Sequence, residues 1–340
     1  MIIDLRSDTF TRPTPEMLKF MFEAAVGDDV FGEDPSINEL EKRVASYFGK
    51  EASLFCPSGT MANQIAIKCH TQPGDEIICE ENSHVYIYEG GGIAFNSGCQ
   101  VKPIKGKNGL ITAKQISTCI NPDDIHKPRT ALVSLENTSN RGGGTCYDHA
   151  EIDLISDLCK QSDIALHIDG ARLWNAMIAK NESPIYYGEK FDSISVCFSK
   201  GLGAPVGSVL VGSASFIKKA RRIRKVLGGG MRQAGYLASA CLFALDHNIE
   251  RLSIDHTHAK MLETALLELE YVESVVPVET NLIFVEIKKD ISPKHIAQLL
   301  KNEGVLVMAI SPTQIRIVTH LHIENADIHH VISVLNSIKP

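Results

Sequence analysis

Ile194-Ser195-Val196-Cys197-Phe198-Ser199-Lys200-Gly201-Leu202-Gly203 runs a short apolar stretch into a glycine-rich turn with a lysine at the junction. The run reads as a buried strand over 194–198, and it delivers Lys200 to the strand's carboxyl end. An amine placed there, rather than on a solvated helix face, is a candidate covalent nucleophile. For Ser-Lys-Gly taken alone, a surface lysine in a turn is the better reading. The rest of the chain has to reverse those odds.

Working outward, comparable apolar runs at 76–79, 131–135, 164–168 and 208–211 read as buried strands. Helical stretches such as 65–69 and 149–161 lie between them, the latter entered through Asp148 and Glu151. Upstream, Thr14-Pro15 supplies a cap and a first-turn proline for a helix over 17–25. After Pro35, Ser36 and Glu39 form a capping box, and Ile37, Leu40, Val44 and Phe48 keep helical spacing until Gly49. Alternating β and α elements predict an α/β fold with a mostly parallel sheet covered by helices on both faces. Chemistry in such sheets collects at the carboxyl ends of the strands. Beyond about residue 248 the pattern changes to a helix over 249–269, a strand at 281–287, a helix at 295–302, a strand at 314–318 and a helix at 326–338. The expected division is a large domain over 1–248 and a smaller C-terminal α+β domain over 249–340.

At 340 residues and 44% hydrophobic, the chain can bury a large core and a smaller one. A net charge of −7, with basic residues spread out except over 218–225, argues against nucleic-acid binding. Nine cysteines at irregular spacing, without a Cys-x-x-Cys pair, read as reduced thiols and not as structural zinc ligands. Asp4, Arg6 and Asp8 leave no signal-peptide core near the start, and no apolar run reaches membrane-spanning length. A cytoplasmic enzyme is expected, with no metal and no membrane partner.

Other candidates sit at the same predicted edge. Asp169 in Ile168-Asp169-Gly170-Ala171-Arg172 ends a strand; it reads either as a helix cap or as the carboxylate that pyridoxal phosphate (PLP) needs opposite its ring nitrogen. Arg172 lies three residues on and offers a planar fork for a carboxylate. Ser58-Gly59-Thr60 opens a helix whose first N–H groups have no internal partner, which suits a phosphate as well as a simple cap. Gly228-Gly229-Gly230-Met231-Arg232-Gln233 is a second glycine-rich turn, without the pattern of a nucleotide phosphate loop. His84 follows a strand end, where an imidazole can lie on a cofactor ring or act as a base. His126 lies in a polar loop and competes with a plain solvated reading.

Taken with Asp4-Leu5-Arg6-Ser7-Asp8-Thr9, Gly27 to Pro35, Glu136-Asn137-Thr138, Pro205-Val206-Gly207-Ser208 and Arg316-Ile317-Val318-Thr319-His320, these motifs resemble the low-specificity L-threonine aldolases. The match runs in consistent order from residue 2 to beyond residue 320. The resemblance implies the aspartate-aminotransferase-like PLP fold (fold type I), with a seven-stranded sheet and residues 1–35 contributing to the site. It implies PLP as cofactor, joined to Lys200 as a Schiff base, with Asp169 at the ring nitrogen and His84 stacked on the ring. Ser58, Gly59 and Thr60 would hold the phosphate. Ser7, Arg172 and Arg316 would clamp the substrate carboxylate, Arg172 also lying against the cofactor. Family members are homotetramers, dimers of dimers whose active sites borrow residues across the interface, and Lys225 and Arg232 resemble the borrowed, cofactor-binding pair.

Two positions depart from the family pattern: Phe31 stands where many relatives have tyrosine, and Ser139 where they usually have histidine. The implied reaction is retro-aldol cleavage of L-threonine, L-allo-threonine and other β-hydroxy-α-amino acids to glycine and an aldehyde, with His84 and His126 as candidate bases. A racemase, β-eliminating lyase or aminotransferase on the same fold would turn over without glycine as product. A nicotinamide dehydrogenase is disfavoured, because no Gly-x-Gly-x-x-Gly follows an early strand.

Overall fold

The structure is a computed structural model that describes residues 2–340. The chain opens on β1 (Ile3–Asp4) and then lays down the strands of the central sheet: β2 (Ala52–Cys56), β3 (Glu76–Glu80), β4 (Gln100–Ile104), β5 (Thr130–Glu136), β6 (Ala165–Gly170), β7 (Ser193–Cys197) and β8 (Ser208–Gly212). Their spatial order is β2-β8-β7-β6-β5-β3-β4. β8 is antiparallel to both neighbours, and the remaining pairs are parallel. β3, β5, β7 and β8 are buried along their whole length, so they read as continuous apolar runs and not as alternating patterns. β4 lies at the edge, half exposed, and carries Lys102 and Pro103, residues that an edge tolerates.

Helices on both faces close the main core, in which Phe48, Trp174, Tyr187 and Phe198 are fully buried. Trp174 Nε1 donates to the Cys197 carbonyl at 3.0 Å, tying the helix Leu173–Lys180 to the end of β7, three residues before Lys200. The helix Pro35–Tyr47 forms as the apolar spacing predicts, but Ser36 is not its cap. Asp34 is: its buried carboxylate accepts from the N–H groups of Ile37 (3.0 Å), Gly27 (3.2 Å) and Gly235 (2.9 Å). Ser36 Oγ donates instead to the Ala25 carbonyl at 2.7 Å. A carboxylate can satisfy three donors at once, where a serine hydroxyl cannot.

The C-terminal part builds a second sheet from β9 (Val272–Val275), β10 (Leu282–Ile287), β12 (Met308–Ala309) and β13 (Gln314–Val318), all antiparallel; the two-residue β11 (Val305–Leu306) precedes β12. Its core joins residues such as Leu262, Ile283, Ile317 and Ile328 to Ile3 and Leu5. The start of the chain belongs to this core because β1 pairs in parallel with β11, and the Leu5 carbonyl accepts from Val318 N at 2.8 Å. From there the chain crosses to the large sheet, where Thr11 Oγ1 donates to the Lys200 carbonyl at 2.8 Å. Residues 5–11 therefore bridge the two sheets beside the lysine.

Candidate active site

The parallel strands end on one edge, and the site is assembled there. β7 leads to Lys200, β6 ends at Asp169-Gly170, β5 at Glu136, β3 at Glu80 just before His84, and β2 at Cys56 just before Ser58. Above that edge lies a cleft of about 540 Å³. Ser7, His84, Arg172, Lys200 and Arg316 all line it, together with Tyr88, Arg141 and the β12 segment around Met308. Five of the side chains singled out from sequence, the farthest pair (Ser7 and Arg316) 309 positions apart, thus meet in one space.

The floor beneath His84 is acidic. His84 Nδ1 lies 2.9 Å from Glu89 Oε1, and ligand-capable atoms of His84, Glu89 and Asp169 all fall within 4.8 Å of one another. Asn63 Nδ2 bridges the two carboxylates, 2.9 Å from Glu89 Oε1 and 2.8 Å from Asp169 Oδ2. Gln64 Nε2 holds the other oxygen of Glu89, and Ala171 N that of Asp169. Glu136 is buried and accepts from the backbone N–H groups of His84 (2.6 Å) and Asn140 (2.7 Å), which fixes two stretches of the cleft wall. Burial, then the neighbouring Asp169, push its carboxyl up to about 7. At His84, burial alone would depress the imidazole; the Glu89 hydrogen bond, helped by Asp169 and Glu136, outweighs it and raises the pKa above the usual value.

The cationic wall is built differently. Arg172 is buried, and its Nε and Nη2 pair side-on with both oxygens of Asp8, at 2.8 and 2.7 Å. Its remaining edge lines the cleft. Arg316 reaches from β13 and touches neutral acceptors: the Arg6 carbonyl at 3.1 Å, Asn140 Oδ1 at 3.5 Å and Met308 Sδ at 3.6 Å. Its Nε is buried with no partner, an orphaned donor in a cleft otherwise suited to an anion. Burial, then repulsion from Arg172, lower its pKa.

At the start of the helix Gly59–His70, Ser58 Oγ accepts from Met61 N at 3.2 Å, while the N–H groups of Gly59 and Thr60 find no acceptor among the described residues. A Cβ on Gly59 would stand 2.7 Å from Cys197 Sγ, so glycine lets the helix start approach β7 closely. Two free N–H groups at a helix N-terminus suit a phosphate. With a buried carboxylate facing a histidine and a lysine amine in the adjoining cleft, the donor set fits PLP. The same His84, Glu89 and Asp169 cluster could ligate a cation, but two of its groups are already engaged by Asn63, and Asp169 also by Ala171 N.

Three candidates lie elsewhere. His126 is an exposed loop residue whose Nδ1 pairs with Asp124 Oδ1 at 2.8 Å; it does not line the cleft, which removes it as a base in this chain's own site. Lys225 is exposed at the end of the helix Ala214–Val226, and exposed Arg232 pairs with Asp28 at 2.8 Å. Ser139 is buried and accepts from Gly142 N at 3.1 Å, so its hydroxyl closes its own loop. Asn63, Glu89 and Arg141 are contributors that the sequence did not single out. Asn63 and Glu89 carry no local pattern, and their function arises only where the helix packs across β6.

The fold and this edge define a lyase of PLP fold type I. The model of the beta-eliminating lyase family matches residues 4–290. The low-specificity L-threonine aldolase 1 of Arabidopsis thaliana is 42% identical over 338 residues, covering 97% of this chain and 94% of that one. A Leishmania major threonine aldolase structure superposes with a TM-score of 0.86 at 21% identity, covering 98% of each chain. A structure of SPT with PLP shares the fold with a TM-score of 0.75 at 17% identity, covering 99% of this chain and 87% of that one. The chain belongs to the beta-eliminating lyase family and, within it, to the low-specificity L-threonine aldolases.

Proposed function

We propose that the chain cleaves L-threonine and L-allo-threonine between Cα and Cβ, giving glycine and acetaldehyde, with PLP as its cofactor. The observation that carries this reading is the convergence of Lys200, His84, Arg172 and Arg316 on one cleft above a buried Asp169. Lys200 would hold the cofactor covalently, Asp169 would face its ring nitrogen, His84 would lie against the ring, and the N–H groups of Gly59 and Thr60, behind the Ser58 cap, would take its phosphate. When bound, PLP withdraws electrons from Cα so that a bond to that carbon can break heterolytically.

The chain's own groups then choose the bond. Arg316, the free edge of Arg172 and Ser7 hold the α-carboxylate, which fixes rotation about Cα and hence which bond is weakened. His84 keeps its Nε2 free of Glu89 and can accept the β-hydroxyl proton, directly or through water. Because its pKa is raised, that role strengthens as pH rises through the titration of His84.

A homotetramer, a dimer of dimers, completes the reading. Phe22, Phe31, Phe95 and Val226 are each more than 70% exposed, apolar side chains that association between copies would cover. The segment around Asp28 to Phe31 packs beside Arg232, so Lys225 and Arg232 stand ready to serve a neighbour's site. A domain division at 248/249, with Ile3 and Leu5 joining the smaller unit, and a cytoplasmic location belong to the same reading; no helix is long and apolar enough to cross a membrane. The deciding experiment incubates the purified protein with each of the four threonine stereoisomers and measures acetaldehyde and glycine. Both products are expected from the two L isomers, and absence of aldehyde from every isomer would overturn the proposal.

A further inference from the structure

The cleft holds more positive charge than threonine needs. Arg141, Arg172 and Arg316 line it, and no aspartate or glutamate does. Arg172 is neutralised from behind by Asp8, and His84 by Glu89. Lys200 would be committed to the cofactor by its covalent linkage. Arg316 has only neutral acceptors and its unpartnered Nε, which assigns it the α-carboxylate. Arg141 is left over. It makes no ion pair among the described residues, and it stands close enough to Arg316 for their repulsion to help lower the Arg316 pKa, after burial and Arg172. Its loop is held in place, since the preceding Asn140 donates its N–H to Glu136 and accepts from Arg316. A half-buried cation without a counter-charge, facing the space where the substrate must lie, favours a substrate that brings a second anion.

Resting on the aldolase reading, we propose that the cleft also takes β-hydroxy-α-amino acids whose side chain ends in a carboxylate, and that Arg141 holds that second carboxylate. The smallest such substrate is 3-hydroxyaspartate. The Cα–Cβ bond breaks, the β-hydroxyl loses its proton as its oxygen becomes the aldehyde oxygen, and Cα takes up a proton. The products are glyoxylate and glycine, with no oxidant or reductant consumed.

The test compares kcat/KM for L-threonine and for both β-epimers of L-3-hydroxyaspartate, using holoenzyme of the wild type, R141A and R141K. The wild type is expected to cleave one hydroxyaspartate epimer at least as efficiently as threonine. Loss of one charge-assisted pair should lower the hydroxyaspartate-to-threonine ratio about 10- to 100-fold in R141A, with partial recovery in R141K. A second measurement needs no turnover of the new substrate: succinate should inhibit threonine cleavage at least about 10-fold better than butyrate, and R141A should erase that advantage. An enzyme that cleaves threonine but neither epimer would overturn the proposal. So would an equal loss on both substrates in R141A, which would put Arg141 on the α-carboxylate instead. Cleavage of no substrate at all would remove the aldolase reading, and this proposal with it.

Discussion

Asp8 and Arg172 form a buried two-point ion pair, Oδ2 to Nε at 2.8 Å and Oδ1 to Nη2 at 2.7 Å, that fastens the N-terminal segment to the edge carrying the site. Asn281 Nδ2 reaches the same carboxylate at 3.2 Å, so residues from the start, middle and end of the chain meet at one aspartate. Burial works against the charged form of Asp8. Arg172 outweighs it, and the carboxyl is held down at about 2.

Removing Asp8 should therefore cost more than a surface ion pair. Asp8→Ala leaves a guanidinium buried and uncompensated, and about 3–5 kcal/mol of unfolding free energy should disappear. The sign with pH is fixed by the depressed pKa: the pair's contribution is complete above the unfolded value of about 3.9, and it fades as pH falls through about 2. Urea unfolding of the wild type between pH 5 and 2 should show a loss of about 2 kcal/mol that D8A does not share. An acid limb of equal depth in both proteins would show that Asp8 is not its source.

Lys200 is expected to be the only covalent anchor for the cofactor. Purified protein supplied with PLP should be yellow, and K200A should lose both that visible band and the covalent linkage that borohydride reduction traps in the wild type. Mass spectrometry of the reduced wild type should place the added mass on the peptide containing Lys200. A modified peptide elsewhere would reassign the anchor.

How much of this was legible beforehand differs from residue to residue. Buried strands announce themselves as apolar runs, so β3, β5, β6, β7 and β8 were readable, and with them the edge that presents Lys200, Asp169 and His84. β4 was not, because an edge strand carrying Lys102 and Pro103 resembles a loop. Asn63 and Asp169 are 106 positions apart, and an amide on a helix gives no local sign that it will bridge two carboxylates across the sheet. His126 shows the converse: polar neighbours make a histidine look available, but only packing decides whether it faces the cleft or the solvent.

Arg316 should separate substrate binding from cofactor binding. Its side chain reaches the cleft from β13 and makes no described contact with the lysine or with the helix start at Gly59. R316A should raise KM for threonine about 10- to 100-fold, the loss of one charge-assisted contact, while cofactor affinity moves less than about 3-fold. Steady-state kinetics and a cofactor titration of the same preparation check both halves. An unchanged KM would take Arg316 out of the carboxylate clamp.

Asn63 is the residue whose loss should be felt farthest from its own contacts. Its Oδ1 accepts from Ser195 Oγ at 2.6 Å and lies 3.2 Å from His167 Nε2, so the amide can present only its NH₂ to Asp169 and Glu89. The chain continues through His167 Nδ1 to Ser193 Oγ at 2.9 Å and on to His70 Nε2 at 2.8 Å. Burial pushes His167 down to about 3 and His70 to about 4, so both rings are neutral near pH 7 and each nitrogen keeps one role. An amide neither gains nor loses a proton in that range, so this chain orients the carboxylates and does not conduct protons. Asn63→Asp preserves shape but replaces a shared donor with a third acceptor among two carboxylates, which must weaken the arrangement facing the cofactor. Cofactor affinity is expected to fall at least about 10-fold, and the visible band should acquire a pH dependence that the wild type lacks. H167N and S193A, which only loosen the amide, should shift both readouts in the same direction by less. Wild-type affinity and spectrum in N63D would leave Asn63 a structural residue alone.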